Sequence, residues 1–303
     1  MTPKGLHALN EIGFVLPYYI ANYKGGRNEC FMFGLDRETK WYDYDLVSAY
    51  TTVMSMAGHP DYEKVHRLTQ SDLIKMTQSE MLYSYLILHA DFEFPSTVKY
   101  PSIPCYVDET CTVYPQSGSC VITGAEYILA LGQGCKFDFK DIYNIPFQIS
   151  ESESKDLRPF STVIKDVQAK RREYEKGTIS NLMYKEIGNS IYGSVVRGIG
   201  DKRKFDVKSK GTVRMYGDEL TNPLIASWTT AFVRSVMGEC LQEVQGLSGK
   251  VVSVTTDGFI TNIENLESKL SGFLIKSYQQ IRKELSGDET SLELKCEGVG
   301  VLA

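Results

Sequence analysis

The stretch Lys185–Gly193, K-E-I-G-N-S-I-Y-G, constrains this chain more than any other. In a helix, positions i, i+4 and i+7 share one side, so Lys185, Asn189 and Tyr192 line up along one face. The opposite side carries apolar residues at every fourth position, which predicts a core-facing stripe: Met183, Ile187 and Ile191. A cation, an amide and a phenol on one rigid rod suit a ligand with a phosphate, a polar middle and a flat ring. A solvated helix face is the plainer interpretation of the same spacing.

Composition indicates a globular chain, because 42% of the residues are hydrophobic and 23% are charged. Its 303 residues are enough for one large or two ordinary domains. The net charge of −5 argues mildly against a nucleic-acid binder. Charge is distributed unevenly, however: residues 197–214 hold seven basic and two acidic side chains, and a second basic cluster is Lys170, Arg171 and Arg172.

The cysteines and histidines indicate neither a metal cluster nor a disulfide framework. The chain has seven cysteines without a C-x-x-C pair, and its four histidines are scattered, which favours free thiols in a reducing compartment. No apolar run approaches the ~18 residues of a membrane span, and no signal peptide opens the chain. We therefore expect an intracellular protein without a membrane partner, in the cytoplasm or nucleoid of a bacterial or virus-infected host.

Two further segments place a carboxylate at the end of a strand. Residues 41–45 alternate in strand fashion and run through D-L-V-S-A-Y (45–50) into a predicted helix that ends near Met56. Residues 250–263 form two β-rich runs around Asp257-Gly258, which predicts a hairpin with Asp257 at its tip. Upstream, the two glycines of Y-K-G-G (23–26) permit close approach of a partner, although an ordinary turn has the same composition.

Two long helices are also predicted. One opens at Pro159, closes at Gly177 and forms an antiparallel pair with the Lys185 helix. The other begins at Asn222-Pro223 and has a helical apolar stripe typical of a core helix, to which we assign no site.

These segments resemble the motifs of family B DNA polymerases, in the family's order. K-x-x-x-N-S-x-Y-G resembles the fingers motif, D-L-V-S-A-Y resembles motif A, and T-T-D-G at 255–258 resembles motif C. Y-K-G-G resembles the Y-x-G-G motif of protein-primed members. The pattern is most similar to protein-primed and primer-independent polymerases of phages, plasmids and mobile elements. This sequence departs from the usual residues at four positions: Ala49, Thr51, Thr255 and Gly258.

The resemblance implies an α+β fold, in which a palm made of an antiparallel sheet backed by helices carries an inserted two-helix fingers subdomain. The implied division is an N-terminal segment with Y-x-G-G at 1–40, palm at 41–158, fingers at 159–193 and palm again at 194–303. The 22 residues before Tyr23 are too few for an exonuclease, and the sequence stops before the family's thumb motif. We therefore expect both of those domains to be absent.

The resemblance also implies roles for individual residues. Asp45, Asp257 and Lys185 would be catalytic. Two Mg²⁺ ions, for which Mn²⁺ can substitute, would be held by Asp45, Asp257 and the main-chain carbonyl of Leu46. The nucleotide would contact Leu46, Val47, Ser48, Ala49, Tyr50, Arg171, Arg172, Lys185, Asn189 and Tyr192. DNA would contact Tyr23, Gly25, Gly26, Arg27 and Gly193.

The implied activity is template-directed addition of deoxynucleotides to a 3′-hydroxyl by a two-metal mechanism, in DNA replication. The partners would be template and primer DNA and deoxynucleoside triphosphates, with a terminal protein or a second polymerase fragment as further candidates. The alternative is a weakly active or inactive nucleic-acid-binding subunit. Retention of Asp45, Lys185 and Asp257 favours the enzyme, because a binding remnant has no chemical need for all three.

Overall fold

The structure is a computed structural model that describes residues 12–34, 36, 38–108, 111–149, 157–200 and 203–295. Its α-helices are α1 (Leu16–Asn22), α2 (Ala49–Met54), α3 (Gln70–Lys75), α4 (Gln78–Leu82), α5 (Gly124–Gly132), α6 (Ser161–Arg172), α7 (Ile179–Val195), α8 (Pro223–Gly246) and α9 (Phe273–Ser286). Its strands are β1 (Arg27–Cys30), β2 (Tyr42–Leu46), β3 (His66–Arg67), β4 (Ser84–Glu93), β5 (Cys105–Tyr106), β6 (Thr112–Val113), β7 (Ser117–Thr123), β8 (Lys136–Pro146), β9 (Arg203–Asp206), β10 (Gly211–Arg214), β11 (Val251–Thr256), β12 (Gly258–Thr261) and β13 (Leu292–Lys295). A 3₁₀ turn covers Leu266–Lys269.

The central sheet has five strands in the order β1-β11-β12-β2-β13, and every neighbouring pair is antiparallel. Strands from both ends of the described chain thus meet in one sheet. The predicted motif A strand and motif C hairpin lie side by side at its centre. The hairpin forms as predicted, but its two-residue loop is Thr256-Asp257 rather than Asp257-Gly258, because Gly258 already pairs with Thr255 in the ladder.

A second antiparallel sheet, in the order β3-β8-β4-β7, packs beside α5. Its long strand β4 has ten residues. Helix α5 begins with a capping box in which Thr123 and Glu126 exchange hydrogen bonds. This box also places the Glu126 carboxylate inside the protein, where its side chain is 1% exposed.

Helix α8 joins the two sheets. It begins where the sequence predicts, at Pro223, with the side chain of Asn222 accepting hydrogen bonds from the main-chain N–H groups of Leu224 and Ile225. It packs against α1, α2, α5 and α9, and its residues are buried on every side. A helix in contact with neighbours all around is expected to be buried throughout its length.

Helices α6 and α7 form the predicted antiparallel pair, and α6 begins at Ser161, two residues after Pro159. The link between them is held by the buried side chain of Asn181, which donates to the main-chain oxygens of Arg171 (3.0 Å) and Tyr174 (3.2 Å). The C-terminal turn of α6 is therefore capped by a side chain from α7.

The predicted inner face of α7 is wrong. Met183 and Ile187 are 60% and 43% exposed, and the buried residues are Asn181, Gly188 and Val195. These three repeat every seven positions, and two of them, Asn181 and Gly188, are not apolar, so a search for apolar periodicity misses them. Of the predicted stripe, Ile191 is partly buried against the core. Gly188 faces Thr51 of α2 and Val167 of α6, with no side chain to keep the helices apart.

Some expectations fall on residues outside the described ranges. These are parts of the terminal segments (1–11 and 296–303), and Asp201 and Lys202 of the basic cluster. The rest of that cluster lies on the exposed hairpin β9–β10 and beside it. None of the described helices is both long and apolar enough to cross a membrane.

Candidate active site

The two candidate metal-binding carboxylates lie on neighbouring strands. Asp45 is near the end of β2 and pairs with Gly258 at the start of β12, next to Asp257 in the hairpin loop. The main-chain N–H of Leu46 donates to the carbonyl oxygen of Asp257 at 2.7 Å. The ladder therefore brings together two carboxylates that are far apart in sequence.

Gly258 permits this close approach. A Cβ atom at position 258 would lie 3.0 Å from the Oδ1 atom of Asp45. A serine, the commoner residue in the family motif, would need Asp45 to shift slightly. The glycine is thus explained by local packing around the carboxylate.

A lysine that the sequence analysis passed over pairs with Asp45. Lys295 on β13 places its Nζ atom 3.0 Å from Asp45 Oδ1. Burial opposes the shift, but the hydrogen bond and charge of Asp45, with the charges of Asp43 and Asp257, raise the pKa of Lys295. Burial and then the charge of Asp45 raise the pKa of Asp257, partly offset by Lys295 and Lys185. The site thus concentrates negative charge and attracts cations.

A cleft of about 920 Å³ opens in front of these carboxylates. Six basic and three acidic side chains line it: Arg171, Arg172, Lys176, Lys185, Arg282 and Lys295, with Asp45, Asp257 and Glu293. The chain as a whole is acidic, yet this cleft has an excess of positive charge that suits a polyphosphate. All the residues predicted to be catalytic or nucleotide-binding lie on the cleft wall.

Another part of the cleft wall comes from the helix pair α6–α7. Lys185, Asn189 and Tyr192 of α7 line the cleft together, as the spacing predicts, beside Arg171 and Arg172 of α6. The cap on α6 described above fixes the distance between these two sets of side chains. Lys176, in the link between the helices, also lines the cleft and forms an ion pair with Glu293 of β13.

Tyrosines form the floor of the cleft. Tyr50 of α2 and Tyr192 of α7 stack with ring centroids 4.7 Å apart and an interplanar angle of 25°. Burial is the main cause that raises the pKa of both phenols, and a hydrogen bond to the side chain of Tyr23 adds to the shift at Tyr192. Ser48, just before α2, has a φ of 53°, the left-handed region that is uncommon for a serine.

The Y-K-G-G turn lies beside the cleft, and its residues are not among those on the cleft wall. Gly25 is exposed, and Tyr23 is half-buried against Tyr192. Gly193 is exposed on α7. These three are accessible to a strand of nucleic acid.

Arg27 is placed differently from the expectation. Its side chain is 1% exposed, its Nε donates to Glu29 at 2.5 Å, and its guanidinium lies over the Tyr114 ring, 4.0 Å from the centroid. Strand β1 pairs along β11, which turns this side chain inward. Direct contact of Arg27 with DNA is therefore not available in this structure.

The two glycines of the turn have different surroundings. A Cβ at Gly26 would lie 2.7 Å from Thr256 Cγ2 and 2.8 Å from its Cα, whereas nothing lies within 4 Å of one at Gly25. We expect Gly26→Ala to lower the free energy of unfolding by about 1–3 kcal/mol, because main chain must move. Gly25→Ala should stay within about 0.5 kcal/mol. Chemical denaturation of both variants checks this, and equal losses would contradict the packing described here.

Sequence reasoning missed Lys295, Asn181 and the buried pair formed by Glu126 and Arg234. The one available signal was Arg234 itself, the single charged residue between positions 223 and 238 of α8. Its partner is 108 positions away, and no local pattern reveals such a contact.

The site fits a divalent cation. Two carboxylates and the main-chain carbonyl of Leu46 would supply oxygen ligands, and a cation would offset the burial and the Asp45 charge that raise the pKa of Asp257. Among the described residues, no group of three or more His, Cys, Asp or Glu side chains could hold a metal. An ion here would complete its coordination with substrate phosphates and water, as Mg²⁺ commonly does.

Comparison with known proteins agrees with this geometry. No protein-family profile matches the chain. The chain is 34% identical over 261 residues, or 86% of its length, to the primer-independent DNA polymerase PolB of Escherichia coli.

The resemblance to family B DNA polymerases is confirmed.

Solved structures show the same fold for this chain. Phi29 DNA polymerase in complex with primer-template DNA and incoming nucleotide superposes with a TM-score of 0.56 at 15% identity, over 87% of this chain and 45% of that one. The orthorhombic crystal form of phi29 DNA polymerase gives a TM-score of 0.57 at 14% identity, over 83% and 44% of the two chains. The predicted α+β fold is confirmed. The chain spans 29% of the length of PolB.

Proposed function

We propose that this chain is the catalytic core of a template-directed DNA polymerase that adds deoxynucleotides to a 3′-hydroxyl in DNA replication. One observation carries the proposal: Asp45 and Asp257 line a single cleft together with Lys185 and Arg171, and basic side chains outnumber acidic ones in that cleft. Carboxylates that can hold cations, opposed by cations that can hold phosphates, are what phosphoryl transfer requires. PolB and phi29 DNA polymerase are polymerases by name.

In this proposal the central sheet with α8 is the palm, and the pair α6–α7 is the fingers, within the division expected from the sequence. Asp45, Asp257 and the Leu46 carbonyl hold the divalent ions that family B DNA polymerases generally use. When bound, two Mg²⁺ ions, or Mn²⁺ in their place, lower the pKa of the primer 3′-hydroxyl and neutralise charge on the departing pyrophosphate.

The remaining side chains act on the nucleotide itself. Lys185, with Arg171 or Arg172, binds the triphosphate through charge-assisted hydrogen bonds. The main chain from Val47 to Ala49 forms the wall beside it. Tyr50 packs under the sugar, and Asn189 and Tyr192 bound the space for the nascent base pair. The reaction joins the 3′-oxygen to the α-phosphorus and releases pyrophosphate.

DNA would approach along the Tyr23–Gly26 turn and Gly193. The basic hairpin β9–β10 offers Arg203, Lys204, Lys208, Lys210 and Arg214 as phosphate contacts. We propose an intracellular site of action, where template and nucleotides are present. A terminal protein or a second polymerase chain stays a prediction.

The sugar-selecting role of Tyr50 gives a testable prediction. Tyr50→Val shortens the side chain under the sugar. The kcat/KM for ribonucleotides should therefore rise about tenfold or more relative to the kcat/KM for deoxyribonucleotides. Tyr50→Phe keeps the ring and should keep the discrimination. The measurement is the ratio of kcat/KM for the two nucleotides. Unchanged sugar selection in Tyr50→Val would contradict the proposal that Tyr50 packs under the sugar.

The test of the function is primer extension by this chain with Mg²⁺, a defined template and all four deoxynucleotides. Extension that stops on addition of EDTA supports the proposal. A second arm without primer asks whether this chain shares the primer independence in PolB's name. Binding of primer-template without any extension in either arm would contradict the proposal and favour the binding-subunit alternative.

A further inference from the structure

A buried ion pair lies behind the Tyr23–Gly26 turn. The Nη2 atom of Arg234 on α8 lies 2.7 Å from Oε1 of Glu126 on α5, and their side chains are 2% and 1% exposed. Burying two charges has a desolvation cost that their attraction offsets only with good geometry and further hydrogen bonds. A buried ion pair is therefore weak evidence that its residues stabilise the fold.

Both members of the pair hold the chain around the turn. The Nη1 atom of Arg234 donates to the main-chain oxygens of Lys24 (2.6 Å) and Gly25 (3.0 Å). The Oε2 atom of Glu126 accepts from the side chain of Asn22 at 2.9 Å and from the main-chain N–H of Thr123 at 2.9 Å. A planar guanidinium can bridge a carboxylate and two carbonyls at once, which a lysine ammonium does far less well.

The Tyr23–Gly26 turn contacts the tyrosines at the floor of the cleft. Tyr23, next to Lys24, is hydrogen-bonded through its side chain to Tyr192, which stacks on Tyr50. A continuous set of contacts therefore runs from the buried pair through the turn to the proposed nucleotide site. The side chain of Lys24 is itself buried, with its Nζ 3.1 Å from the main-chain oxygen of Ala21.

We propose that Arg234, oriented by Glu126, is a positioning residue that fixes the Tyr23–Gly26 turn in the conformation that receives the template strand. That the bound strand is a template rests on the proposed function, whereas the role of Arg234 in fixing the turn does not. It predicts that loss of Arg234 loosens the turn and weakens primer-template binding, while nucleotide recognition by Lys185 is retained.

The experiment compares Arg234→Met, the double variant Arg234→Met with Glu126→Gln, and Arg234→Lys with the parent. The single variant leaves the Glu126 charge buried and unpaired, so it is expected to be less stable. The double variant removes both charges at similar volume and should recover thermal stability. Glu239→Gln is the matched control, since it neutralises a different part-buried carboxylate. Glu239 lies on α8, away from the turn, and accepts a hydrogen bond from the main-chain N–H of Ile275 at 2.7 Å.

Two measurements are made on each folded variant. The first is native-state trypsin cleavage after Lys24, followed by mass spectrometry of the fragment that begins at Gly25. The second is the dissociation constant for primer-template, with the nucleotide KM beside it. In the double variant we expect cleavage about tenfold faster and a dissociation constant about tenfold higher, each a larger change than the change in the nucleotide KM. Arg234→Lys should fall between the double variant and the parent.

Cleavage after Lys24 at the parent's rate in a stable double variant would overturn the proposal. Faster cleavage with unchanged primer-template affinity would overturn the part that concerns the template. If the parent itself binds no primer-template, the proposed function fails. The cleavage comparison then still decides whether Arg234 holds the turn.

Discussion

Asp257→Asn is expected to slow nucleotide addition about a thousandfold or more, because it removes one of the two charges proposed to hold the divalent ions. The side chain keeps its shape, and it stands in a two-residue hairpin loop whose ladder does not depend on it. Thr255→Asp restores the commoner family residue and should retain most of the parent's rate, since Asp45 and Asp257 remain. Single-turnover addition of one nucleotide measures both variants.

A folding control separates chemistry from stability. Burial and Asp45 raise the pKa of Asp257, so the folded protein holds this proton more tightly than the unfolded chain. The carboxylate therefore destabilises the fold at neutral pH, and this cost disappears as the pH falls through the raised pKa. Asp257→Asn should unfold at the parent's temperature or above it at pH 7, with a difference that shrinks in acid. A folded Asp257→Asn that is nearly as fast as the parent would contradict the proposed mechanism.

Lys185→Met is expected to lower kcat/KM for the nucleotide about 10- to 150-fold, the equivalent of a hydrogen bond to a charged group worth about 1.5–3 kcal/mol. The loss should appear largely in KM, because Lys185 is proposed to bind the triphosphate. Lys165→Met makes the same change on an exposed part of α6 outside the cleft and should leave kcat and KM for the nucleotide unchanged. Steady-state kinetics at saturating primer-template distinguish the two. Equal effects of Lys185→Met and Lys165→Met would contradict the proposal that Lys185 binds the nucleotide.

Much of the site could be predicted from the sequence because its motifs are local. The spacing of Lys185, Asn189 and Tyr192 fixes one helix face, and the β-rich runs around Asp257 fix a hairpin. The Asn222-Pro223 cap fixes where α8 begins. Each of these depends on residues within a few positions of one another, and the structure has all of them.

The rest depends on which elements become neighbours. The inner face of α7 is chosen by α2 and α6, which fit closely around Gly188, so its apolar residues at 183 and 187 stay exposed. Arg27 turns inward because β1 joins β11. The partners of Arg234 and Lys295 lie on segments far away in sequence, where neither periodicity nor spacing carries information.

Templated copying by this cleft is tested by offering each of the four deoxynucleotides singly, with Mg²⁺, opposite each of the four template bases at a defined primer end. We expect fast addition of the complementary nucleotide alone at every template base, and loss of this addition in Asp257→Asn. Addition of the same nucleotide whatever the template base, or no addition by a parent protein that binds primer-template, would contradict this expectation.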